Sequence, residues 1–245
     1  MKRQDFIAGV GSVGGGAQGE MTDRTSEFDF DKLFGEDYHY FYEQSLTAER
    51  TEREADVIWK LVALTPDSTV LDLGCGHGRI SNALAERGLA ANFFQGDMRC
   101  LEWTNAVDVV LIWFTTFGYF NDVENAQVVQ HSARALQPGG RLLIEQMNRY
   151  ALVRGGLPSN YVVTRGNDLM IDRVEYDALS DRSATERIIV RDGRVKRSKF
   201  FVRLYSPAEL TALLGEAGFR SVQVFGQEGQ PFTLYGHRTM VVGTI

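Results

Sequence analysis

The sequence predicts an α/β protein: a doubly wound, mostly parallel sheet, with an antiparallel sheet inserted late in the chain as a lid or dimerisation element. Three observations carry this. The run Thr69-Val70-Leu71-Asp72-Leu73 leads into Gly74-Cys75-Gly76-His77-Gly78 and then a helical stretch over 80–87, which is the order strand, glycine turn, helix start. Apolar β-prone runs then alternate with amphipathic helical ones to about residue 146, as parallel strands joined by helical crossovers require. Over 161–205 the pattern becomes β-prone stretches broken by turn signals at short intervals, the mark of an antiparallel meander.

Each element follows from its residues. The segment 28–42 crowds Phe28, Phe30, Phe34, Tyr38, Tyr40, Phe41 and Tyr42 ahead of the first long helix. That helix is predicted over 50–64, where Ala55, Ile58, Trp59 and Val62 recur at helical spacing and acids come early. Pro66-Asp67-Ser68 ends it, and the strand at 70–73 follows. Residues 92–95 read as a strand closing at Gly96-Asp97-Met98. The run 107–113 (VDVVLIW) is continuously apolar, as a strand buried on both faces must be. A helix over 124–136 is closed by Pro138-Gly139-Gly140, and 141–146 is the next strand. In the meander, turns fall at Gly166-Asn167, Leu179-Ser180-Asp181 and Asp192-Gly193. Ser206 then caps a helix with Pro207 at its first position and Glu209 in its first turn, running to Gly218. Strands at 221–225 and 238–243 finish the chain.

Size and charge bound the function. A chain of 245 residues suits one domain with an elaboration. We assign 21–245 to that domain, with 161–205 as its insertion. Residues 1–20 read as a disordered leader, upstream of a start at Met21. Met1-Lys2-Arg3 and the glycine-rich GVGSVGGGA are too weakly apolar for a signal peptide. Hydrophobic content of 44% and charged content of 24% are those of an ordinary globular protein. A net charge of -6 without a domain-scale basic face argues against nucleic acid as the main partner. The basic run 191–199 reads as a solvated hairpin. The two cysteines, Cys75 and Cys100, make no disulfide framework and fit a reducing cytoplasm. No apolar run approaches the ~20 residues of a membrane helix, and no metal is expected.

The glycine turn carries the chemistry. Glycine lets the backbone approach a ligand closely, and the first N–H groups of the following helix point at its polar groups. A dinucleotide fingerprint would read G-x-G-x-x-G. The pattern here is Asp72-x-Gly74-x-Gly76-x-Gly78, which disfavours a nucleotide-cofactor oxidoreductase. Three further segments accompany it in order: Gln95-Gly96-Asp97-Met98-Arg99, Trp113-Phe114-Thr115-Thr116-Phe117-Gly118-Tyr119-Phe120, and Leu136-Gln137-Pro138-Gly139-Gly140-Arg141-Leu142-Leu143. On these motifs the chain, from about residue 28 to its end, resembles Rossmann-like (class I) S-adenosylmethionine-dependent methyltransferases of the small-molecule type found in natural-product biosynthesis. The resemblance implies S-adenosylmethionine as cofactor. It implies that Gly74, Gly76 and Gly78 pack under the methionine and ribose parts, with Asp72 and Cys75 beside them. It further implies that Asp97-Met98 holds adenine, the carboxylate accepting from its amino group, and that 114–119, Phe114 first, line the sulfonium and acceptor pocket.

One departure stands out. Such enzymes carry a second strand ending in an acid that grips the ribose hydroxyls, then another helix, before the equivalent of Gln95-Gly96-Asp97. Here Gly88-Leu89-Ala90 runs almost directly into Ala91-Asn92-Phe93-Phe94. Either 92–95 is the third strand and no ribose acid exists, or it takes the second strand's slot and Asp97 doubles as the ribose ligand. A third reading is that the sequence omits a segment of the natural chain. Because 81–91 has room for one helix and a tight turn, and a parallel crossover takes a dozen or more residues, we predict that 92–95 pairs directly with 70–73.

Methyl transfer from a sulfonium is an in-line displacement, so the protein mainly supplies position and electrostatics. An acceptor hydroxyl or ammonium calls for a base, and His39, Glu145, His237 and Tyr38 are the candidates. Glu145 leads because it ends a strand on the sheet's carboxyl edge, where ligands sit, and His39 stands with it. Tyr38 and Tyr42 either shield the sulfonium through cation–π contacts or pack as core. The reading is methyl transfer to N or O of a small organic acceptor, without nucleic acid or membrane partners. Self-association through the antiparallel sheet is expected, since an exposed edge needs covering. The alternative is a methyltransferase-fold protein with weakened or lost catalysis that serves as a binding or scaffolding subunit.

Overall fold

The computed structural model describes residues 7–9, 30–155 and 158–245. In chain order the elements are β1 (Ile7–Gly9), α1 (Phe30–Phe34), α2 (Glu36–Tyr42), α3 (Ala48–Leu61), β2 (Val70–Asp72), α4 (Arg79–Glu86), β3 (Phe93–Gln95), β4 (Val107–Ile112), α5 (Asp122–Ala135), β5 (Leu136–Met147) and α6 (Arg149–Val153). There follow β6 (Asn160–Arg165), β7 (Asp168–Asp177), β8 (Arg182–Arg191), β9 (Arg194–Arg203), α7 (Pro207–Glu216), β10 (Ser221–Phe225) and β11 (Arg238–Thr244).

The main sheet has the order β10-β11-β5-β4-β2. Strands β2, β4 and β5 are parallel, and β11 runs against both β5 and β10. The apolar run in β4 serves two cores. Val107, Val110 and Ile112 join the cluster containing Val128 of α5 and Leu210 of α7. Val109 and Leu111 join the cluster containing Ile58 of α3 and Ile80 of α4. Helices thus cover both faces, and the doubly wound expectation holds. Helix α5 stops one residue early, because Leu136 is already extended (φ -72°, ψ 141°) and opens β5.

The edge beside β2 differs from expectation. Strand β3 does not pair with β2; it pairs in parallel with β1, Phe93 opposite Ile7. An N-terminal segment takes up the hydrogen-bonding groups of β3, as an open strand edge invites, and β1 also approaches β2. The predicted direct pairing of 92–95 with 70–73 is therefore overturned. The expected leader 1–20 lies outside the described residues except for 7–9, which form β1.

The antiparallel sheet has the order β6-β7-β8-β9, with its turns at the predicted places. At Asp192-Gly193 both residues are left-handed (φ 51° and 71°), as a two-residue hairpin turn requires. Met170 and Ile189 of this sheet pack on Phe41 of α2.

Helix α7 starts as its sequence dictates. The Ser206 Oγ accepts from the Glu209 N–H at 3.2 Å, and the Glu209 carboxylate accepts from the Ser206 N–H at 2.8 Å, a reciprocal capping box. Ser206→Ala is expected to lower stability by about 1 kcal/mol, read as a lower urea midpoint at unchanged m.

Candidate active site

The site is built on the turn between β2 and α4. Gly74 and Gly76 have φ of 69° and 59°, a region costly for other residues. A Cβ on Gly74 would stand 2.3 Å from the Thr116 methyl, whereas one on Gly76 would meet no atom within 4 Å. The first glycine permits close packing and the second leaves space. Asp72 is buried under the turn and accepts from the Ser81 hydroxyl at 2.7 Å. Burial pushes its carboxyl up to about 6, against the pull of Ser81 and the Arg79 charge.

That space is a cavity of about 230 Å³. One wall is the glycine turn, with Asp72, Gly74, Cys75, Gly76, His77 and Arg79; Met98 and the segment Trp113-Phe114-Thr115-Thr116 form another. Phe30, Phe34, Tyr38 and His39 from α1 and α2 close it, together with Tyr119. Tyr38 stacks on Tyr42 with ring centres 4.3 Å apart, and Phe34 meets Tyr38 and Tyr119 edge-on at 5.3 and 5.5 Å. The His39 and His77 rings meet edge to face at 4.6 Å. Burial, then His39 and Arg79, push the His77 imidazole below its ordinary value. Burial raises the Tyr38 hydroxyl, and it raises the Cys75 thiol to about 12. Those two stay protonated at neutral pH while the histidine remains a neutral base.

Helix α2 is held over the cavity by its opposite side. Asp37 pairs with Arg191 at 3.0 Å and Lys196 at 2.5 Å, and the Tyr40 hydroxyl donates to Asp168 at 2.9 Å. Arg187, bonded to Asp172 by two contacts of 2.7 Å, donates to the Tyr42 hydroxyl at 3.2 Å. The antiparallel sheet therefore sets where Tyr38 and His39 stand.

The turn after β4 has two consecutive left-handed residues, Phe114 (φ 61°) and Thr115 (φ 58°), each costing roughly 1–3 kcal/mol. Phe114 N–H donates to the Glu145 carboxylate at 2.8 Å, and Thr115 N–H to the Glu145 main-chain oxygen at 3.1 Å. Thr115 Oγ1 accepts from Met147 N–H at 3.1 Å and from Arg238 at 2.9 Å. The guanidinium groups of Arg50 and Arg79 stand 5.2 and 5.4 Å from the Phe114 ring centre. Glu54 collects Arg50, Arg79 and the Trp113 indole N–H beside them.

Of the residues singled out in the sequence, Tyr38, His39, Asp72, Gly74, Cys75, Gly76, Met98 and Phe114 line this one cavity. Three others are outside its lining. Gly78 caps α4, Tyr42 backs Tyr38, and the Asp97 carboxylate is held by Arg99 through its N–H at 2.8 Å and its guanidinium at 2.7 Å. Glu145, expected as a free base at the strand end, is buried beside the cavity with its oxygens taken by Arg238 and Phe114 N–H. That expectation is corrected: a carboxylate engaged this way has no approach to an acceptor. His237 is exposed and lies outside the cavity lining. Sequence reasoning passed over His77 and Arg79, although both stand inside the glycine motif and its helix start, a position that could have flagged them.

Residues 46–224 match the family model described as a methyltransferase domain. Among solved structures, the chain is similar to an S-adenosylmethionine-dependent methyltransferase from Clostridium acetobutylicum, at TM-score 0.69 and 13% identity, covering 88% of this chain and 98% of that one. It is similar to the CcbJ methyltransferase from Streptomyces caelestis at TM-score 0.66 and 19% identity, covering 79% and 88%. It is also similar to the sugar N-methyltransferase KedS8 from Streptoalloteichus sp at TM-score 0.59 and 21% identity, covering 96% and 99%. At these identities the likeness is one of fold. A sequence search of curated proteins gives no match.

Proposed function

The chain belongs to the methyltransferase domain family, and on that premise we propose that it methylates an amine nitrogen of a small organic acceptor. Its cofactor is S-adenosylmethionine, which supplies an activated methyl group on a sulfonium centre when bound. The residues fit such a ligand. The open space above Gly76 would admit it, the buried Asp72 carboxylate would meet its ammonium, and Met98 would flank its adenine. The rings of Tyr38 and Phe114, which line the same cavity, would shield its sulfonium. Tyr42 supports Tyr38 by stacking on it.

The observation that carries the reading is one cavity joining the glycine turn to an aromatic wall that bears His39. His39, with His77 against it, takes the proton of an acceptor ammonium. Imidazole serves as a general base for such a proton, and an amine freed of its proton attacks the methyl without further activation, which supports N over O. The likeness to a sugar N-methyltransferase supports an amino sugar among the acceptors to try first. The cysteines are free and no helix among the described residues is long and apolar enough to cross a membrane, which supports a cytoplasmic location. Exposed Val162 and Val195 on the edge strands β6 and β9 support a homodimer through that sheet.

The test is calorimetry with S-adenosylhomocysteine, followed by methyl transfer to matched amine and hydroxyl acceptors. Binding with N-methyl products is expected. Binding without transfer favours the scaffolding alternative, and O-methyl products alone overturn the choice of atom. His39→Gln is expected to lower kcat by about 100-fold at neutral pH. The deficit should shrink as the pH rises and the amine loses its proton unaided.

A further inference from the structure

We propose that Glu145 and Arg238 form a positioning pair, which holds the turn at 114–115 in its left-handed conformation and thereby fixes the cavity wall facing the glycine turn. The consequence for ligands rests on the functional reading above; the backbone consequence does not. Both N–H groups of the turn end on Glu145, one on its side chain and one on its main chain. Glu145 is only 3% exposed, so its charge needs a partner, and Arg238 reaches both carboxylate oxygens. The same guanidinium donates to Thr115 Oγ1 at 2.9 Å and stands 5.7 Å from the Phe114 ring centre. One ion pair therefore engages the backbone, the hydroxyl and the ring of two consecutive residues held at positive φ. Neither member of the pair lines the cavity. They act through Phe114, and through Thr116, whose methyl occupies the place of a side chain on Gly74. A turn that slipped to negative φ would move both groups, one in the wall and one against the glycine turn.

Three variants of the full-length protein test this: Glu145→Gln, Glu145→Ala and Arg238→Lys. Glutamine keeps an oxygen for the Phe114 N–H and drops the charge, alanine removes both, and lysine keeps the charge without the fork. Crystal structures give φ at 114 and 115, calorimetry gives the Kd for S-adenosylhomocysteine, and steady-state kinetics give kcat and acceptor KM across pH. For Glu145→Ala, φ is expected to turn negative, with Kd or KM raised about ten-fold or more and the pH profile unshifted. Glu145→Gln and Arg238→Lys should show smaller rises with the same profile. Unchanged φ, Kd and KM in the alanine variant would overturn the proposal. So would a glutamine variant that loses kcat together with the acidic limb of the profile, because Glu145 would then be a base. If the alanine variant does not fold, the other two carry the same measurements. If the wild type binds no S-adenosylhomocysteine, the functional reading falls, and φ alone decides this inference.

Discussion

Gly76→Val is expected to leave a folded protein that no longer binds S-adenosylmethionine or S-adenosylhomocysteine measurably. The two nearby glycines separate the effects. At Gly74 a side chain would collide with Thr116, so substitution there damages the packing of two loops. At Gly76 nothing stands within 4 Å, so the added atoms meet only the space in which the cofactor is proposed to lie. The fold pays for the positive φ of 59° with roughly 1–2 kcal/mol, a drop of a few degrees in Tm. Affinity should fall by at least about 100-fold, equivalent to ~3 kcal/mol. Calorimetry alongside a thermal melt checks both halves. A Gly76→Val protein that melts normally and binds as tightly as the parent would remove the cofactor from this turn.

Asp72→Asn is expected to stabilise the free protein while weakening cofactor binding. Burial lifts this carboxyl from its ordinary 3.8 to about 6, so ionising it in the folded state costs ~3 kcal/mol relative to the unfolded chain. The sign follows. A group whose folded value is raised contributes its stability at pH below the unfolded value and loses it as pH rises through the folded one. Wild type and variant should therefore melt together near pH 4. The variant should gain roughly 5–10 °C as pH climbs from about 4 to about 6, and the gap should stay constant above that. Asparagine still offers an oxygen to the Ser81 hydroxyl, so the bond at 2.7 Å has a counterpart. Binding moves the other way: loss of a charged partner for the cofactor's ammonium should cost about ten- to a hundred-fold in affinity. Melting curves from pH 4 to 8, with calorimetry at pH 8, test it. A gap that does not depend on pH would contradict the burial argument.

Much of this was legible in the residues because it is local or periodic. The glycine spacing at 74–78, the apolar run of β4, the hairpin turns and the Ser206 cap each express a rule that acts within a few positions. The site was legible in part for the same reason: Asp72, Gly74, Cys75 and Gly76 come from one short motif. Glu145 shows the limit. Its place at the carboxyl end of β5 was correctly read, but its role was not, since that depended on Arg238, which is 93 residues away along the chain. The two left-handed residues at 114 and 115 carry no glycine or asparagine to announce them, and their conformation is held by bonds to β5 and β11.

The sequence by itself determined the alternation of strands and helices, the inserted meander and the glycine turn, because hydrophobic period, turn chemistry and glycine placement are short-range properties. Tertiary structure alone decided which strand β3 pairs with, how α2 is clamped by Arg187, Arg191 and Lys196 so that Tyr38 and His39 face the glycine turn, and which carboxylate is open to a ligand. Those outcomes turn on which groups from distant parts of the chain meet, and on burial. Among the described residues, burial leaves Asp72 with one hydroxyl partner at the cavity wall and locks Glu145 into its pair with Arg238, while the partly exposed Asp97 pairs with Arg99.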